Sequence, residues 1–249
     1  HLFSSAASDV YKRQNIHMTE NVDHQEVNKF AELADEWWNK NGDFKPLHVI
    51  NPLRANYIKE KLDLESKSIL DVGCGGGLLT EALYDSGANV TGIDAAGPGI
   101  EVAKIHASKG NKKINYFEQT AEELLNKSSE LFDVVTCLEV LEHVPDPKSL
   151  VKTCIQLLKP NGHLFLSTIN RNPRSWITAI VGAEYIFNLL PKGTHEFDKF
   201  IKPSELASYV RSGNANLLET KGMFYNPITH KANLNNDLGV NYLMHAKKI

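Results

Sequence analysis

An α/β fold with a mostly parallel sheet is predicted by three observations along this 249-residue chain. Short β-capable runs, at residues 68–72, 89–94, 115–117, 132–137 and 163–168, alternate with segments of helical periodicity. One of them, Phe132-Asp133-Val134-Val135-Thr136-Cys137, is nearly continuous in apolar residues, as a parallel strand covered on both faces should be. The first run ends in four glycines around one cysteine, Gly73-Cys74-Gly75-Gly76-Gly77, before Leu78, Leu79, Ala82 and Leu83 recur at helical spacing. Strand, tight loop and helix follow directly.

Composition sets the outer limits. A net charge of −3 with 42% apolar residues does not suggest a nucleic-acid binder or a disordered chain, and no nucleic-acid partner is expected. Cys74, Cys137 and Cys154 are odd in number, lack a C-x-x-C spacing and lie in apolar or Gly-rich sequence. They read as reduced, buried thiols of a cytosolic protein. No segment reaches the roughly 18 apolar residues of a membrane span. Residues 1–17 are read as a non-native extension, because the opening 14 residues resemble translated sequencing-adapter read-through; Met18 is the expected start, and 18–249 a single domain.

Taken in order, Val27, Phe30, Ala31, Leu33, Ala34, Trp37 and Trp38 give a helical pattern, expected to pack on the domain. Asn51-Pro52 reads as a cap followed by proline at the first helical position. Arg54 then falls in the first turn, where a cation opposes the helix dipole and needs a partner, either an acidic side chain or a ligand carboxylate. The glycine loop leaves no Cβ between backbone and ligand, and the following helix offers unpaired N–H groups. It is not a dinucleotide fingerprint, since Leu78 or Thr80 stands where Gly or Ala is required, nor a P-loop, which needs Gly-Lys-Ser/Thr. Asn89-Val90-Thr91-Gly92-Ile93-Asp94 ends in an acid about twenty residues later, where a carboxylate can take both hydroxyls of a ribose. Gly loop and Asp94 together predict a nucleoside-bearing ligand.

A helix over 100–109 and a third strand lead to the acidic and polar Glu118-Gln119-Thr120-Ala121-Glu122-Glu123, which stands where folds of this kind usually contact the adenine side of such a ligand. The fourth strand then runs into Leu138-Glu139-Val140-Leu141-Glu142-His143-Val144-Pro145-Asp146-Pro147, with Asp146 and Pro147 opening the next helix. Ligands of open parallel sheets bind at the carboxyl ends of the strands, so two carboxylates and an imidazole stand at the mouth of the site. On a helical turn, Glu139, Glu142 and His143 (i, i+3, i+4) share one face. They would suit a hard divalent ion such as Mg²⁺, or else cap and hydrogen-bond the crossing. After the fifth strand, residues 176–190 are strongly apolar with one charge, flanked by Arg171, Arg174, Lys192 and His195. This insertion, over 171–200, reads either as a lid buried on the core or as a helix lying in a membrane interface. A last helix to about Arg211 and two strands, 217–223 and 240–247, joined by a polar connection at 233–239, close the chain.

Asp71-Val72-Gly73-Cys74-Gly75-Gly76-Gly77 resembles motif I of the class I methyltransferases, which bind S-adenosylmethionine (SAM). More specific stretches, among them Ile50-Asn51-Pro52-Leu53-Arg54, Glu142-His143-Val144-Pro145-Asp146-Pro147, Pro191-Lys192-Gly193-Thr194-His195 and Tyr225-Asn226-Pro227-Ile228-Thr229, resemble the ubiquinone-biosynthesis O-methyltransferases over nearly everything after residue 20. The resemblance implies a Rossmann-like fold: a mostly parallel seven-stranded sheet with an antiparallel last strand, N-terminal helices and a helical insertion after the fifth strand. It implies methyl transfer from SAM to ring hydroxyls of a 2-polyprenyl-6-hydroxyphenol and of 3-demethylubiquinol. By position, Arg54, Gly73, Gly75, Asp94 and Leu138 would contact SAM; Glu139, Glu142 and His143 would ligate Mg²⁺; His143 and Glu139 are the candidate catalytic residues. The implied setting is cytoplasmic and peripheral to the inner membrane, on an anionic lipid surface, with other proteins of the pathway as candidate partners.

Overall fold

The computed structural model describes residues 21–42, 44–175, 197–226 and 228–249. The proposed non-native extension and the apolar stretch 176–190 lie outside the described residues. Among the described residues two helices precede the sheet, α1 (His24–Glu32) and α2 (Lys45–Lys61). Strands β1 (Ser68–Val72), β2 (Asn89–Asp94), β3 (Asn115–Glu118), β4 (Phe132–Leu138) and β5 (Leu158–Ile169) alternate with α3 (Leu78–Tyr84), α4 (Gly97–Lys109), α5 (Ala121–Lys127) and α6 (Pro147–Gln156). Then come α7 (Pro203–Ser212), β6 (Ala215–Asn226), β7 (Lys231–Asn235) and β8 (Asn241–Lys248). The strand order is β3-β2-β1-β4-β5-β8-β6-β7, with β1 to β5 mutually parallel and β8 antiparallel to both β5 and β6. Strand order reverses between β1 and β4, which opens a crevice at their carboxyl ends.

The sheet is buried on both faces. Leu70, Val72, Val135, Cys137, Leu164 and Leu166 pack with α6 and α7, while Ile69, Val134 and Phe165 pack with α2 and α3. Adjacent strand residues therefore serve opposite cores, which is why β4 reads as an unbroken apolar run. Cys74, Cys137 and Cys154 are free thiols inside this packing.

Two expectations are corrected. Asn51-Pro52 does not open a helix: α2 starts at Lys45, with Pro46 supplying the N-terminal proline, and continues through Pro52. The interior proline lacks an N–H and costs a helical bond, but tertiary contacts hold the helix on course. Asn51, buried, donates its side-chain amide to the Leu78 carbonyl at 2.8 Å, and Ala55, Tyr57 and Ile58 are buried in the core. Arg54 consequently lies mid-helix. The sheet has eight strands among the described residues, not seven, because the polar 233–239 connection begins inside β7, which pairs antiparallel with β6 from Gly222↔Asn235 to Asn226↔Lys231.

Candidate active site

The glycine loop after β1 is shaped by its neighbours. Gly73 (φ 70°) and Gly75 (φ 50°) occupy the left-handed region that glycine enters without penalty. A Cβ on Gly73 would stand 2.2 Å from a Val140 methyl, and one on Gly75 2.1 Å from the Trp37 ring. Beneath the loop, the buried Asp71 accepts hydrogen bonds from Thr80 (2.6 Å) and Thr136 (2.7 Å). Burial raises its carboxyl to about 6 in spite of both donors. At the end of β2, Asp94 accepts from the backbone N–H of Gly75 (2.9 Å) and of Ala96 (2.7 Å), and burial raises its pKa above the usual carboxylate value. A carboxylate offers about four acceptor positions, so Asp94 retains capacity for two hydroxyls.

A cavity of about 470 Å³ lies over this loop, inside the range of small-molecule sites. Gly73, Gly75, Asp94, Leu138, Arg54, Glu139, Glu142 and His143 all line it, so every site residue expected from the sequence faces one space. Gln119 and Thr120, from the acidic-polar stretch, line it as well.

Arg54 resolves its two expected partners in part. Its guanidinium pairs with Glu139 at 3.2 Å, while its Nε is buried with no hydrogen-bond partner. Such an orphan donor is costly unless a ligand or water meets it. Glu139 is held in the left-handed region (φ 58°), a strained conformation for a residue with a Cβ. Its carboxylate accepts from Ser167 (2.5 Å) and from the Asn241 amide (2.7 Å), and its backbone N–H donates to the Ser167 carbonyl (3.0 Å). Glu142 is buried and accepts from Thr168 at 2.7 Å; burial and the nearby Glu139 charge push its carboxyl up to about 7. His143 ends a 3₁₀ turn, 141–143, and its Nδ1 lies 2.8 Å from a carboxylate oxygen of Glu26 on α1. Burial would depress the imidazole, but the Glu26 hydrogen bond and the surrounding carboxylates outweigh it and raise its pKa. The same bond, led by His143, holds Glu26 down at about 2.

These contacts decide how the triad stands toward a metal. Glu139, Glu142 and His143 are each engaged by a different protein group, and among the described residues no cluster of three His, Cys, Asp or Glu side chains is arranged to hold an ion. His143 Nε2 and the second Glu142 oxygen stay open, but a cation here would have to compete with the Arg54 guanidinium for Glu139. As arranged, the three side chains do not form a ready-made Mg²⁺ site.

The segment 21–42 completes the cavity. Asp23 caps α1 and accepts from Lys199; Asn21 bonds the backbone of Asp146 on both its N–H (2.8 Å) and carbonyl (2.9 Å). Trp37 is buried against Gly75 and Gly76 and packs on Phe44 (4.3 Å). Trp38 donates to the Gly76 carbonyl (2.9 Å) and stacks on His106 (3.4 Å). The expected packing role of the tryptophans holds, and the surface they pack on is the glycine loop itself. Glu26, Ser167, Thr168 and Asn241 were missed by sequence reasoning. Nothing in their local pattern marks them; only the topology brings them to the crossing.

The comparisons with known proteins agree with this geometry. Residues 47–220 match the family model described as a methyltransferase domain. The chain resembles the magnesium protoporphyrin IX methyltransferase of Synechocystis, solved with bound SAH (TM-score 0.61, 17% identity, 99% of this chain and 96% of that one). An open α/β sheet with a glycine loop after β1 and an acid ending β2 is thus the frame of a class I, SAM-dependent methyltransferase. The chain is 54% identical to the ubiquinone biosynthesis O-methyltransferase of Saccharophagus degradans over 92% of its length and 98% of that protein, and equally identical to that of Marinobacter nauticus over 92% and 97%. It belongs to the ubiquinone biosynthesis O-methyltransferase family.

Proposed function

We propose that this chain methylates ring hydroxyls of polyprenyl phenol and catechol quinone precursors, with Arg54, Gly73, Gly75, Asp94 and Leu138 holding SAM and with His143 and Glu139 handling the acceptor. The observation that carries it is the convergence of those residues on one cavity whose glycine cradle a Cβ would fill and whose Arg54 Nε lacks a partner. SAM, when bound, supplies an electrophilic methyl on a sulfonium. The protein's task is then alignment, worth roughly 7–11 kcal/mol in well-oriented intramolecular reactions, and removal of the phenolic proton. A phenol with a pKa near 10 is a weak nucleophile until deprotonated. Glu26, a carboxylate acceptor, fixes the His143 proton on Nδ1, which leaves Nε2 of the neutral ring to accept the hydroxyl proton. Glu139, tied to Arg54, Ser167 and Asn241, is a rigid acceptor beside it.

A polyprenyl substrate resides in a bilayer, so peripheral association with an anionic membrane, at the cytoplasmic face, belongs to the same reading. The apolar stretch 176–190 with basic residues at both ends supports it. Among the described residues no helix is long and apolar enough to cross a membrane.

The test is methyl transfer from labelled SAM to short-chain phenol and catechol precursors, with and without EDTA. Turnover that survives EDTA and falls at least a hundredfold in His143→Gln supports proton transfer by His143. Loss of turnover in EDTA with recovery on adding Mg²⁺ would return Glu139, Glu142 and His143 to the role of metal ligands. No turnover on either acceptor sinks the substrate reading.

A further inference from the structure

The stretch Tyr225-Asn226-Pro227-Ile228-Thr229 marks the family resemblance yet has no place in the chemistry above. Its position follows from strand register. β8 is antiparallel to β5, and β6 is antiparallel to β8, so β6 runs in the same direction as the parallel strands and its end lies at their cavity-bearing edge. Asn241, the first residue of β8, pairs with Ile169 of β5 and with Met223 of β6, and its side chain reaches Glu139. Phe224, Tyr225 and Asn226 continue past that level and pair only with Asn233, Ala232 and Lys231 of β7. At about 3.3 Å per residue the hairpin projects roughly 10 Å beyond the rim of the sheet. Tyr225 still lines the cavity, so the projection stands at its mouth.

The residues flanking the tip are hydrogen-bonded, and the exposed ones include large apolar side chains. The Asn226 side-chain oxygen accepts from the N–H groups of Ile228 (2.9 Å) and Thr229 (3.0 Å), and the Tyr225 hydroxyl is 2.7 Å from His230 Nδ1. On this braced turn Ile228 is 83% exposed, and Phe224 on the arm below it 41%. Turn geometry asks for Gly, Pro, Asn, Asp or Ser and has no need of isoleucine. Between 221 and 235 the chain carries Lys231 and Lys221, the latter 3.8 Å from Glu219, and no Asp or Glu. Two apolar side chains are far too little for a specific protein interface, which buries upward of about 1,000 Å². A small apolar tip with cations behind it suits shallow entry into an anionic bilayer, where each basic residue near the surface adds to binding.

We propose that the β6–β7 hairpin is a membrane-contact element: Ile228 and Phe224 enter the headgroup–acyl boundary of an anionic bilayer and set the cavity mouth, marked by Tyr225, against the lipid. The proposal rests on the reading of a lipid-borne substrate and adds a contact separate from the 176–190 stretch.

Ile228→Cys can be labelled selectively with an environment-sensitive fluorophore, since the three native cysteines are buried. With phosphatidylglycerol vesicles its emission should shift to the blue, be quenched by a lipid-borne quencher and revert in high salt; phosphatidylcholine vesicles should give little change. Phe224→Ser with Ile228→Ser should lower partitioning onto phosphatidylglycerol vesicles at least tenfold and leave turnover of a short-chain, water-soluble phenol unchanged. A label that stays aqueous while the protein sediments with vesicles overturns the proposal, as does absence of binding to either vesicle. A blue shift that grows with protein concentration without lipid would mark the tip as a protein interface and overturn it equally. Failure of the substrate reading shows separately, as wild-type inactivity on the water-soluble phenol.

Discussion

The two halves of the cavity are held by opposite means. The half proposed to hold SAM is local: Gly73, Gly75 and Asp94 lie within one β-loop-α-β unit, and Asp94 is fixed by backbone N–H groups of that same unit. The half proposed to meet the methyl acceptor is assembled from a distance. Glu142 is fixed by Thr168, 26 residues away, Glu139 by Asn241, 102 away, and His143 by Glu26, 117 away. A site preset by backbone geometry tolerates changes in its surroundings, whereas a site built from remote side chains responds to each of them. Electrostatics follow the same division. Asp94 and Asp71 are raised chiefly by burial, while His143 and Glu26 are shifted chiefly by one another's contact against the pull of burial.

Arg54 is the residue that joins the halves, so its removal should break the division most severely. Arg54→Ala strands Glu139 beside the raised Glu142 without its guanidinium partner. Loss of one partner from a buried pair costs about 3–5 kcal/mol, and the partial exposure of Glu139 places this case near the lower end. A fall in Tm of about 6–12 °C is expected for a chain of this size, together with weaker SAM binding. Arg54→Ala combined with Glu139→Gln should recover part of the loss of stability. A double variant no more stable than the single one would show that the two residues are not coupled, and that the halves are independent.

Asp94→Ala tests the cofactor half alone. Charge-assisted hydrogen bonds of the kind expected with ribose hydroxyls contribute about 1.5–3 kcal/mol each. SAM affinity measured by isothermal titration should fall at least tenfold, with Tm within a few degrees of wild type because the unit's backbone contacts are otherwise kept. An unchanged dissociation constant would place the nucleoside elsewhere and deprive the local half of its role.

The same division explains what could be read in advance. The five parallel strands, the glycine loop, Asp94 and the crossing after β4 were legible because each is written in consecutive residues with a fixed period. Arg54 was legible as a residue in need of a partner, but its place was misjudged: Asn51-Pro52 is a valid helix start taken alone, and only packing carries α2 through Pro52. β7 was hidden because Lys231-Ala232-Asn233-Leu234-Asn235 has a polar, half-exposed pattern, and its pairing with β6 rather than its composition makes it a strand. The spacing of Glu139, Glu142 and His143 suggested a shared ion. Strain at Glu139 and three separate partners turn their side chains to different neighbours, and no local pattern contains that information.

The smallest effect concerns the longest of those connections, Glu26 with His143. Glu26→Gln keeps the shape and a hydrogen bond but removes the charge. Glu26 has a folded pKa near 2, below its unfolded value of about 4.5; its contribution is present above the unfolded value and is lost as pH falls through the folded one. His143 has a folded pKa raised above about 6.5; its contribution is complete below 6.5 and is lost as pH rises through the raised value. The two windows overlap between about pH 4.5 and 6.5, so there the wild type should exceed Glu26→Gln in stability by about 1 kcal/mol, or roughly 2–4 °C in Tm. As pH rises through the raised His143 value the difference should shrink to what the Lys29–Glu26 pair (2.6 Å) retains, and the acidic limb of kcat/KM should move to lower pH in the variant, because the Glu26 anion no longer holds the His143 proton. Melting curves at pH 5.5 and 8.5, with a pH–rate profile for each protein, measure both. An equal Tm difference at the two pH values, with coincident rate profiles, would mean that α1 is held to the crossing by packing of Phe30 on His143, whose rings meet edge to face at 5.2 Å, and that the carboxylate does not tune the imidazole.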